Sequence, residues 1–268
     1  MSKKNEDTAL LHPSDDANAL VVPDFLRTAP KEGLDDLSKY QTTPRLAIVQ
    51  GQSSPDRKEA FGEGGVAVMP DGAKVAAKGE EFIAIPLVFW PTWEVWSDIN
   101  DTQSQMVTEI TQDETSEIAR RCKSPDLRDE RYGDRNEFVR KYVECLNFII
   151  RIETGPSAGS VAIVTFNGGE HYTGAKLCGL LKRRPVSIFA NRIAFKSAIR
   201  ARNNRSWYGL DFNNPADGKA TIQTQEEYAE LQQMHRELAA MVGAESIKIS
   251  REDPAPATAE VSDEEIPF

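Results

Sequence analysis

The longest apolar run of this chain spans residues 83–90 and contains Pro86. A membrane-spanning helix needs roughly 20 apolar residues, so this run is too short to predict one. It is rich in β-branched and aromatic residues, and the pattern continues to Trp96, which predicts one long strand over 81–96. Because Pro86 and Pro91 have no amide hydrogen to donate, we expect a bulge or an edge position within that strand.

Shorter apolar segments on both sides of this strand predict further strands, including two hairpins. These predicted strands are Arg45–Gln50, Val66–Met69, Lys74–Ala77, Glu144–Glu153, Ser160–Asn167, Ser187–Ala201 and Arg205–Phe212. Helical spacing predicts a short helix over 173–182 and an amphipathic helix over 225–242, whose apolar face comprises Tyr228, Leu231, Met234, Leu238 and Met241. The Gly-, Ser- and Pro-rich stretch 51–65 predicts a loop. Many short strands without βαβ alternation favour an α+β fold, a small β-barrel with inserted and appended helices.

Both ends and one internal stretch have a polar composition that is poor in core-forming residues. Residues 1–40 predict a flexible N-terminal arm, and the Pro-, Ala-, Thr- and Glu-rich residues 251–268 predict a disordered acidic tail. Residues 98–137 form a polar insertion with helical spacing only around 114–123. We therefore expect a folded domain over 41–222, a C-terminal helix over 223–250 and disordered termini.

Charge is distributed unevenly along the chain. The formal net charge is −10, from 32 Lys and Arg against 42 Asp and Glu. Residues 252–268 contain six acidic residues and no basic one, whereas residues 176–205 contain nine basic residues and no acidic one. Because binding responds to the local potential more than to the total charge, this basic block indicates an anionic partner such as nucleic acid.

Aromatic residues alternate with bases in the basic block and just after it. Single-stranded nucleic acid needs this combination, because basic side chains contact the phosphates and aromatic rings stack on unpaired nucleobases. Period-two alternation predicts Arg192, Lys196 and Arg200 on one face of a strand and core residues on the other. The predicted contact residues are Lys182, Arg183, Arg184, Arg192, Lys196, Arg200, Arg202, Arg205, Trp207 and Tyr208. The alternative is a solvated edge strand whose charges prevent aggregation.

Three tryptophans, Trp90, Trp93 and Trp96, lie within seven residues and are further candidates for stacking on bases. Trp90 and Trp96 share strand parity and Trp93 does not, so we expect at least one ring to point into the core. The alternative for each ring is ordinary core packing.

Enzyme motifs and metal-ligand patterns are sparse. A glycine-rich stretch follows the predicted strand over 160–167, but Ala175 precedes Lys176 and Leu177 follows it, whereas a phosphate-binding loop needs Gly-Lys-Ser/Thr. The three cysteines are scattered and no Cys-x-x-Cys pair occurs, a pattern typical of a reducing cytoplasm without structural zinc or disulfides. No apolar signal segment is seen near the N-terminus. We expect a cytoplasmic, non-enzymatic protein with no metal and no cofactor.

The last seven residues read Ser262-Asp-Glu-Glu-Ile-Pro-Phe268 and follow a linker of low hydrophobicity. This ending resembles the C-terminus of bacterial single-stranded DNA-binding proteins. The body is longer than their binding domain and more nearly resembles phage-encoded single-stranded DNA-binding proteins, in which Pro-Arg-Leu, here Pro44-Arg45-Leu46, opens an oligonucleotide-binding (OB)-like domain. The resemblance implies an OB-like β-barrel, whereas the strand pattern by itself favours other barrels equally.

The same resemblance implies a function and two kinds of partner. The protein is expected to coat single-stranded DNA during replication or recombination and to recruit host replication and repair proteins through its tail. The expected tail contacts are Asp263, Glu264, Glu265, Ile266, Pro267 and Phe268. Phe268 offers a ring and a terminal carboxylate to a basic-rimmed apolar pocket, and Pro267 stiffens the backbone beside it. The alternative is an interaction protein that binds no DNA and competes for the same host partners.

Overall fold

The computed structural model describes residues 43–70, 72–96, 107–124, 129–132, 137–202, 205–245 and 247. The predicted arm over 1–40 and the acidic tail over 251–268 lie outside these residues. The strands are β1 (Arg45–Ile48), β2 (Val66–Met69), β3 (Ala73–Ala76), β4 (Glu81–Trp96), β5 (Val107–Thr111), β6 (Asp129–Tyr132), β7 (Glu137–Arg140), β8 (Tyr142–Ile152), β9 (Val161–Phe166), β10 (Ile193–Arg202) and β11 (Arg205–Asn213). The helices are α1 (Pro55–Phe61), α2 (Glu117–Lys123), α3 (His171–Arg183) and α4 (Gln225–Gly243).

Nine of these strands form one curled sheet that closes about half of a barrel, so the fold is mixed α+β and barrel-like. Its strand order is β11-β10-β4-β8-β9-β1-β2-β3, and β5 pairs with β4 beside this path. β6 and β7 form a separate two-stranded sheet. Strand β1 runs parallel to β9, and the other pairings described are antiparallel. Of the described helices, none has both the length and the apolar content needed to cross a membrane.

Strand β4 holds the sheet together because it pairs with three other strands. One edge pairs with β8 along most of its length, with a register shift between Pro86 and Val88. The opposite edge pairs with β10 at residues 81–84 and with β5 at residues 93–96. Pro86 and Pro91 lie between these two partners, where no strand of the described chain needs an amide donor. The bulge and edge position expected from the two prolines are therefore confirmed.

Helix α4 covers the part of β4 that has no strand on that edge. Nδ1 of His235 donates a hydrogen bond to the Leu87 carbonyl oxygen at 2.7 Å, which satisfies a backbone acceptor at the bulge. A 3-10 turn, Ile188–Ala190, packs on the same stretch of β4 and brings Phe189 against Tyr228 of the helix. The C-terminal helix thus protects an open strand edge.

Packed cores lie on both faces of the sheet. Phe148 of β8 and Phe166 of β9 belong to a core that includes Leu177 of α3. The neighbouring residues Ile149 and Ile163 point the other way, into a core that α4 closes. Adjacent residues of one strand therefore serve different cores, as period-two alternation requires when both faces are buried.

Three predicted elements differ from the structure. The predicted loop over 51–65 contains α1, whose start is signalled by Ser54 followed by Pro55 at the first helical position. Residues 188–190 form a 3-10 turn instead of the beginning of a strand. In α4, Val242 is buried and Met241 is 46% exposed, because 3.6 residues per turn carry the apolar stripe from Leu238 to position 242.

The side-chain amide of Gln50 joins the end of β1 to the outer edge of β11. Its Nε2 donates to the Tyr208 carbonyl oxygen at 2.8 Å, and its Oε1 accepts from the Tyr208 amide at 2.8 Å. Gly64, at φ +83°, lets the Tyr208 ring approach the backbone, since a Cβ there would lie 2.8 Å from the ring. One amide side chain thus supplies the donor and the acceptor that a neighbouring strand would have offered.

Replacing Gln50 with Ala removes both bonds and leaves the Tyr208 backbone groups unpaired. We expect the free energy of unfolding to fall by about 1–3 kcal/mol in chemical denaturation. Gln52→Ala is the matched control, because Gln52 is exposed, and its effect should stay within about 0.5 kcal/mol. Equal stability of the two variants would contradict the closing role of Gln50.

Candidate nucleic-acid interface

A cleft of about 350 Å³ lies where the curled sheet fails to close, between β1 and β9 on one side and β11 on the other. β1 and β9 share one aligned pair, Arg45 with Ile163. Beyond this pair the opening is lined by residues 46–50, which belong to β1 and its extension, and by residues 164–167, which belong to β9 and its extension. The end of β4 contributes Trp96 to the wall. The cleft is thus a direct product of the strand order.

The cleft lining combines aromatic, basic and amide side chains. Trp96 and Tyr208 line it together with Arg45 of the Pro-Arg-Leu motif and with Arg57 of α1. Its other polar side chains are those of Gln50, Gln52, Ser53, Thr165, Asn167 and Glu170. A partly exposed ring for stacking, that of Trp96, therefore occurs within one opening together with guanidinium groups for phosphates and amides for base edges.

A buried chain of polar side chains supports the cleft from below. Thr165 Oγ1 donates to Asn147 at 2.8 Å, and Asn147 Nδ2 donates to Thr92 Oγ1 at 3.0 Å. Trp96 Nε1 donates to Glu94 Oε2 at 3.2 Å. Glu94 and Asn147 are fully buried, so these bonds lie at low dielectric and hold the Trp96 ring in a defined orientation.

The predicted basic strand face is only partly available for a ligand. Arg192 is 15% exposed and forms ion pairs with Glu153 at 2.7 Å and with Asp217 at 3.1 Å. Burial opposes its charged form, but the hydrogen bonds that Arg192 donates to Glu153 and Asp217 outweigh burial and raise the pKa of Arg192. The sequence block has no acidic residue, and other parts of the chain supply the counter-charges.

Arg200 and Arg184 are also engaged within the protein. Arg200 pairs with Asp211 at 2.7 Å and with Glu170 at 3.3 Å, and the Asp211 bond raises the pKa of Arg200 against the effect of burial. Arg184 donates to the side chains of Asn191 and Asn214 and to a backbone carbonyl, while burial lowers the pKa of Arg184. These arginines connect elements of the fold.

Among the predicted basic contact residues whose side chains are described, the exposed ones lie on helix α3. Lys182 and Arg183 are exposed at its last turn, and the helix contains no acidic residue. Lys176 lies over the ring of Tyr172, with Nζ 4.4 Å from the ring centre, and Tyr172 is 68% exposed. Lys196 of β10 is half-buried. The side chains of Arg202 and Arg205 and the tail residues 263–268 lie outside the described part of the chain.

The predicted aromatic residues divide into buried and accessible rings. Trp90 is buried in the core that α4 closes, and Trp93 is buried near α2, with Lys123 Nζ 5.3 Å from its ring centre. Tyr208 is 7% exposed. Trp96 and Trp207 remain partly exposed. Core packing, the alternative considered for each tryptophan, therefore describes Trp90 and Trp93.

Sequence reasoning missed seven polar residues of the cleft, which are Gln50, Gln52, Ser53, Arg57, Thr165, Asn167 and Glu170. Arg57 was not predicted as a site residue because its helix was predicted as a loop. The Ser54-Pro55 pair at the start of that helix nevertheless indicated a helix. Glu170 carries no local signal, since its neighbours across the cleft come from β10 and β11.

Comparison of the chain with protein-family models, with curated proteins and with solved structures gives no match. The resemblance of the C-terminal residues therefore stays a prediction.

Replacing Arg192 with Ala leaves the carboxylate of Glu153, itself 13% exposed, without its closest cation. We expect the free energy of unfolding to fall by roughly 1–3 kcal/mol, less than for a fully buried pair. Lys182→Ala, an exposed base of the same block, should change it by no more than about 0.5 kcal/mol. Denaturant titration of both variants distinguishes the two, and an unchanged midpoint for Arg192→Ala would show that its ion pairs are not stabilising.

Proposed function

We propose that this protein binds single-stranded DNA, with the cleft between β1, β9 and β11 as its binding site. The observation that carries the proposal is the meeting of Trp96 and Tyr208 with Arg45 and Arg57 in one opening. These residues come from four different elements, β4, β11, β1 and α1. A groove that offers the partly exposed Trp96 ring beside guanidinium groups suits a strand with unpaired bases and a charged backbone.

The size of the cleft favours single-stranded over duplex nucleic acid. A volume of about 350 Å³ is at the lower end of small-molecule sites and holds about one nucleotide at a time. A base inserted there stacks on the partly exposed Trp96, whose indole N–H is already engaged by Glu94. The bases of a duplex are stacked on one another and offer no free face to such a ring.

The exposed face of α3 extends this path beyond the cleft. Glu170 and Asn167 at its N-terminal side line the cleft, and Tyr172, Lys176 and Arg183 follow along the helix. A ring and several cations without a neighbouring acid on the helix provide contacts for further nucleotides. Because these contacts are with phosphates and ring faces, they are independent of base sequence.

We assign the curled sheet to the OB-like class of barrels. OB-like barrels bind oligonucleotides on a partly open barrel surface, and a partly open barrel is what the described strands form. The open side, where β11 approaches β1, is also where the cleft lies. The coating of exposed strands in replication or recombination is the cellular role that this binding would serve.

We propose a second function, the recruitment of partner proteins, for the acidic tail. Residues 263–268 combine three carboxylates with a terminal Ile-Pro-Phe, a chemistry suited to a basic-rimmed apolar pocket on a partner protein. We assign to them the recruitment of host replication and repair proteins. If the protein binds no DNA and its tail still binds such partners, it is instead an interaction protein that competes for these host proteins.

The DNA-binding half is tested by fluorescence anisotropy of a labelled oligonucleotide at several salt concentrations. For a single strand the slope of log K against log [salt] is about −0.7 for each phosphate neutralised, so Arg57→Ala should reduce its magnitude by about 0.7. Trp96→Ala should weaken binding by roughly 1–3 kcal/mol through loss of stacking. Arg236→Ala, an exposed arginine on α4, is the matched control and should leave affinity and slope unchanged. Wild-type affinity and slope in folded Arg57→Ala and Trp96→Ala proteins would place the site elsewhere.

The tail is tested by recovery of host proteins from a lysate. Phe268→Ala should lose the partners almost as completely as deletion of residues 260–268, because the ring and the terminal carboxylate together form the anchor. The deletion should leave DNA affinity equal or somewhat higher, most visibly at low salt, since four acidic residues no longer compete with phosphates. Recovery of the same partners by full-length, Phe268→Ala and shortened proteins would remove the recruiting role.

A further inference from the structure

Asn167 is followed by glycine, and the two residues form the one Asn-Gly pair of the sequence. Asn167 lines the cleft at the end of the segment that continues β9, and it leads into the 3-10 turn Gly168–Glu170. A glycine has no Cβ, so its amide nitrogen is the least hindered one that can approach a preceding asparagine side chain. For this reason asparagine loses its side-chain amide most readily when glycine follows it.

No hydrogen bond holds the Asn167 side chain among the described residues. It is half-buried, and it does not cap the 3-10 turn that follows it. Asn147 and Asn191, in contrast, are fully buried and form hydrogen bonds through their side-chain amides. An amide without such bonds changes rotamer freely, so its carbon atom can turn toward the backbone nitrogen of the next residue.

The backbone nitrogen of Gly168 is also accessible. Gly168 is exposed, and a Cβ added to it would have no neighbour within 4 Å. In the part of the chain that the structure describes, its N–H group donates no hydrogen bond. Therefore no backbone hydrogen bond has to break before this nitrogen approaches the Asn167 side chain.

We propose that Asn167 is a site of spontaneous deamidation, with the backbone nitrogen of Gly168 as the nucleophile. That nitrogen loses its proton and forms a bond to Asn167 Cγ, while the bond between Cγ and Nδ2 breaks and ammonia leaves. The product is a succinimide ring. Water then adds to one of the two ring carbonyl carbons and breaks its bond to the nitrogen, which gives aspartate or isoaspartate.

The new carboxylate lies in the cleft that we assign to single-stranded DNA, so its effect on binding rests on the proposed function. Arg45 and Arg57 line the same opening. A negative charge there repels the phosphates and competes for the two guanidinium groups, so deamidation lowers the affinity for DNA. Aspartate suits the position before a helical turn, so the charge changes without loss of the fold.

The modification is measured by peptide mass spectrometry after the full-length protein has been incubated at mildly alkaline pH. We expect the peptide that contains Asn167 to gain the mass difference between a hydroxyl and an amino group, because base removes the proton from the Gly168 nitrogen. Asn214 is the internal control. It is exposed, but the nitrogen of Pro215 carries no proton and does not close the ring.

Two variants test the reaction itself. Asn167→Gln keeps the amide, but its longer side chain would have to close a larger ring, so it should stay unmodified. Gly168→Ala should react more slowly, because the added methyl group hinders the nitrogen. An oligonucleotide bound in the cleft should also slow the modification of the wild-type protein, since it covers Asn167.

The effect on binding is tested with a variant that has the charge of the product. Asn167→Asp should bind a labelled oligonucleotide roughly two- to fivefold more weakly at low salt, with a smaller difference at high salt because salt screens the charge. Asn167→Gln should keep nearly the wild-type affinity. Asn213→Asp, an exposed position outside the cleft lining, adds the same charge and should also keep it.

The outcomes separate this inference from the proposed function. An Asn167 peptide whose mass does not change faster than that of the Asn214 peptide overturns the deamidation site, whatever the protein binds. Equal affinities of Asn167→Asp and the wild-type protein overturn the effect of the modification on binding. If the unmodified protein binds no oligonucleotide, the proposed function is wrong, and the mass measurement still decides whether Asn167 is modified. That measurement needs only the wild-type protein.

Discussion

The open side of the curled sheet depends on one amide side chain. Gln50 offers its donor and acceptor to the backbone of Tyr208 and so holds β11 beside β1. A side chain makes this closure at one residue, whereas a strand would have made it along the whole edge of β11. The remaining edge stays open, and the cleft lined by Trp96 and Arg57 occupies it. The contact that holds β11 beside β1 therefore leaves a binding opening next to it.

Ion pairing within the protein decides which basic side chains are available to a ligand. The basic block has no acidic residue in sequence, yet three of its arginines are bound by groups that the fold brings from elsewhere. Arg192 meets Glu153, which is 39 residues away, and Asp217, which is 25 residues away. A pair of this kind stabilises the fold by connecting distant segments, and it removes the guanidinium from solvent. Lys182 and Arg183 lie at the exposed end of α3, and no ion pair of this kind holds them among the described residues.

Strand β4 connects the stability of the fold to the cleft. Its first half packs against both cores, its bulge at Pro86 is covered by α4, and its last residue, Trp96, lines the cleft. Beside Trp96 the buried side chains of Glu94 and Thr92 form polar contacts that an apolar environment makes strong. A ring held in this manner is a preorganised stacking surface, since little side-chain freedom remains to be lost on binding.

Local periodicity determined most of the long elements of this protein, but not the helix over 55–61 or the 3-10 turn over 188–190. Alternation and proline chemistry predicted β4 with its irregularity at Pro86, and helical spacing predicted α4 with Leu231 in its core-facing stripe. Sequence also marked Tyr208, as an aromatic residue beside basic ones, and Trp96, as one of three closely spaced tryptophans. Only the tertiary structure decided that these two rings share one opening with Arg57 and that Trp90 does not. The reason is physical: burial and ion pairing depend on segments far apart in sequence, and their meeting is set by strand order, which local spacing does not encode.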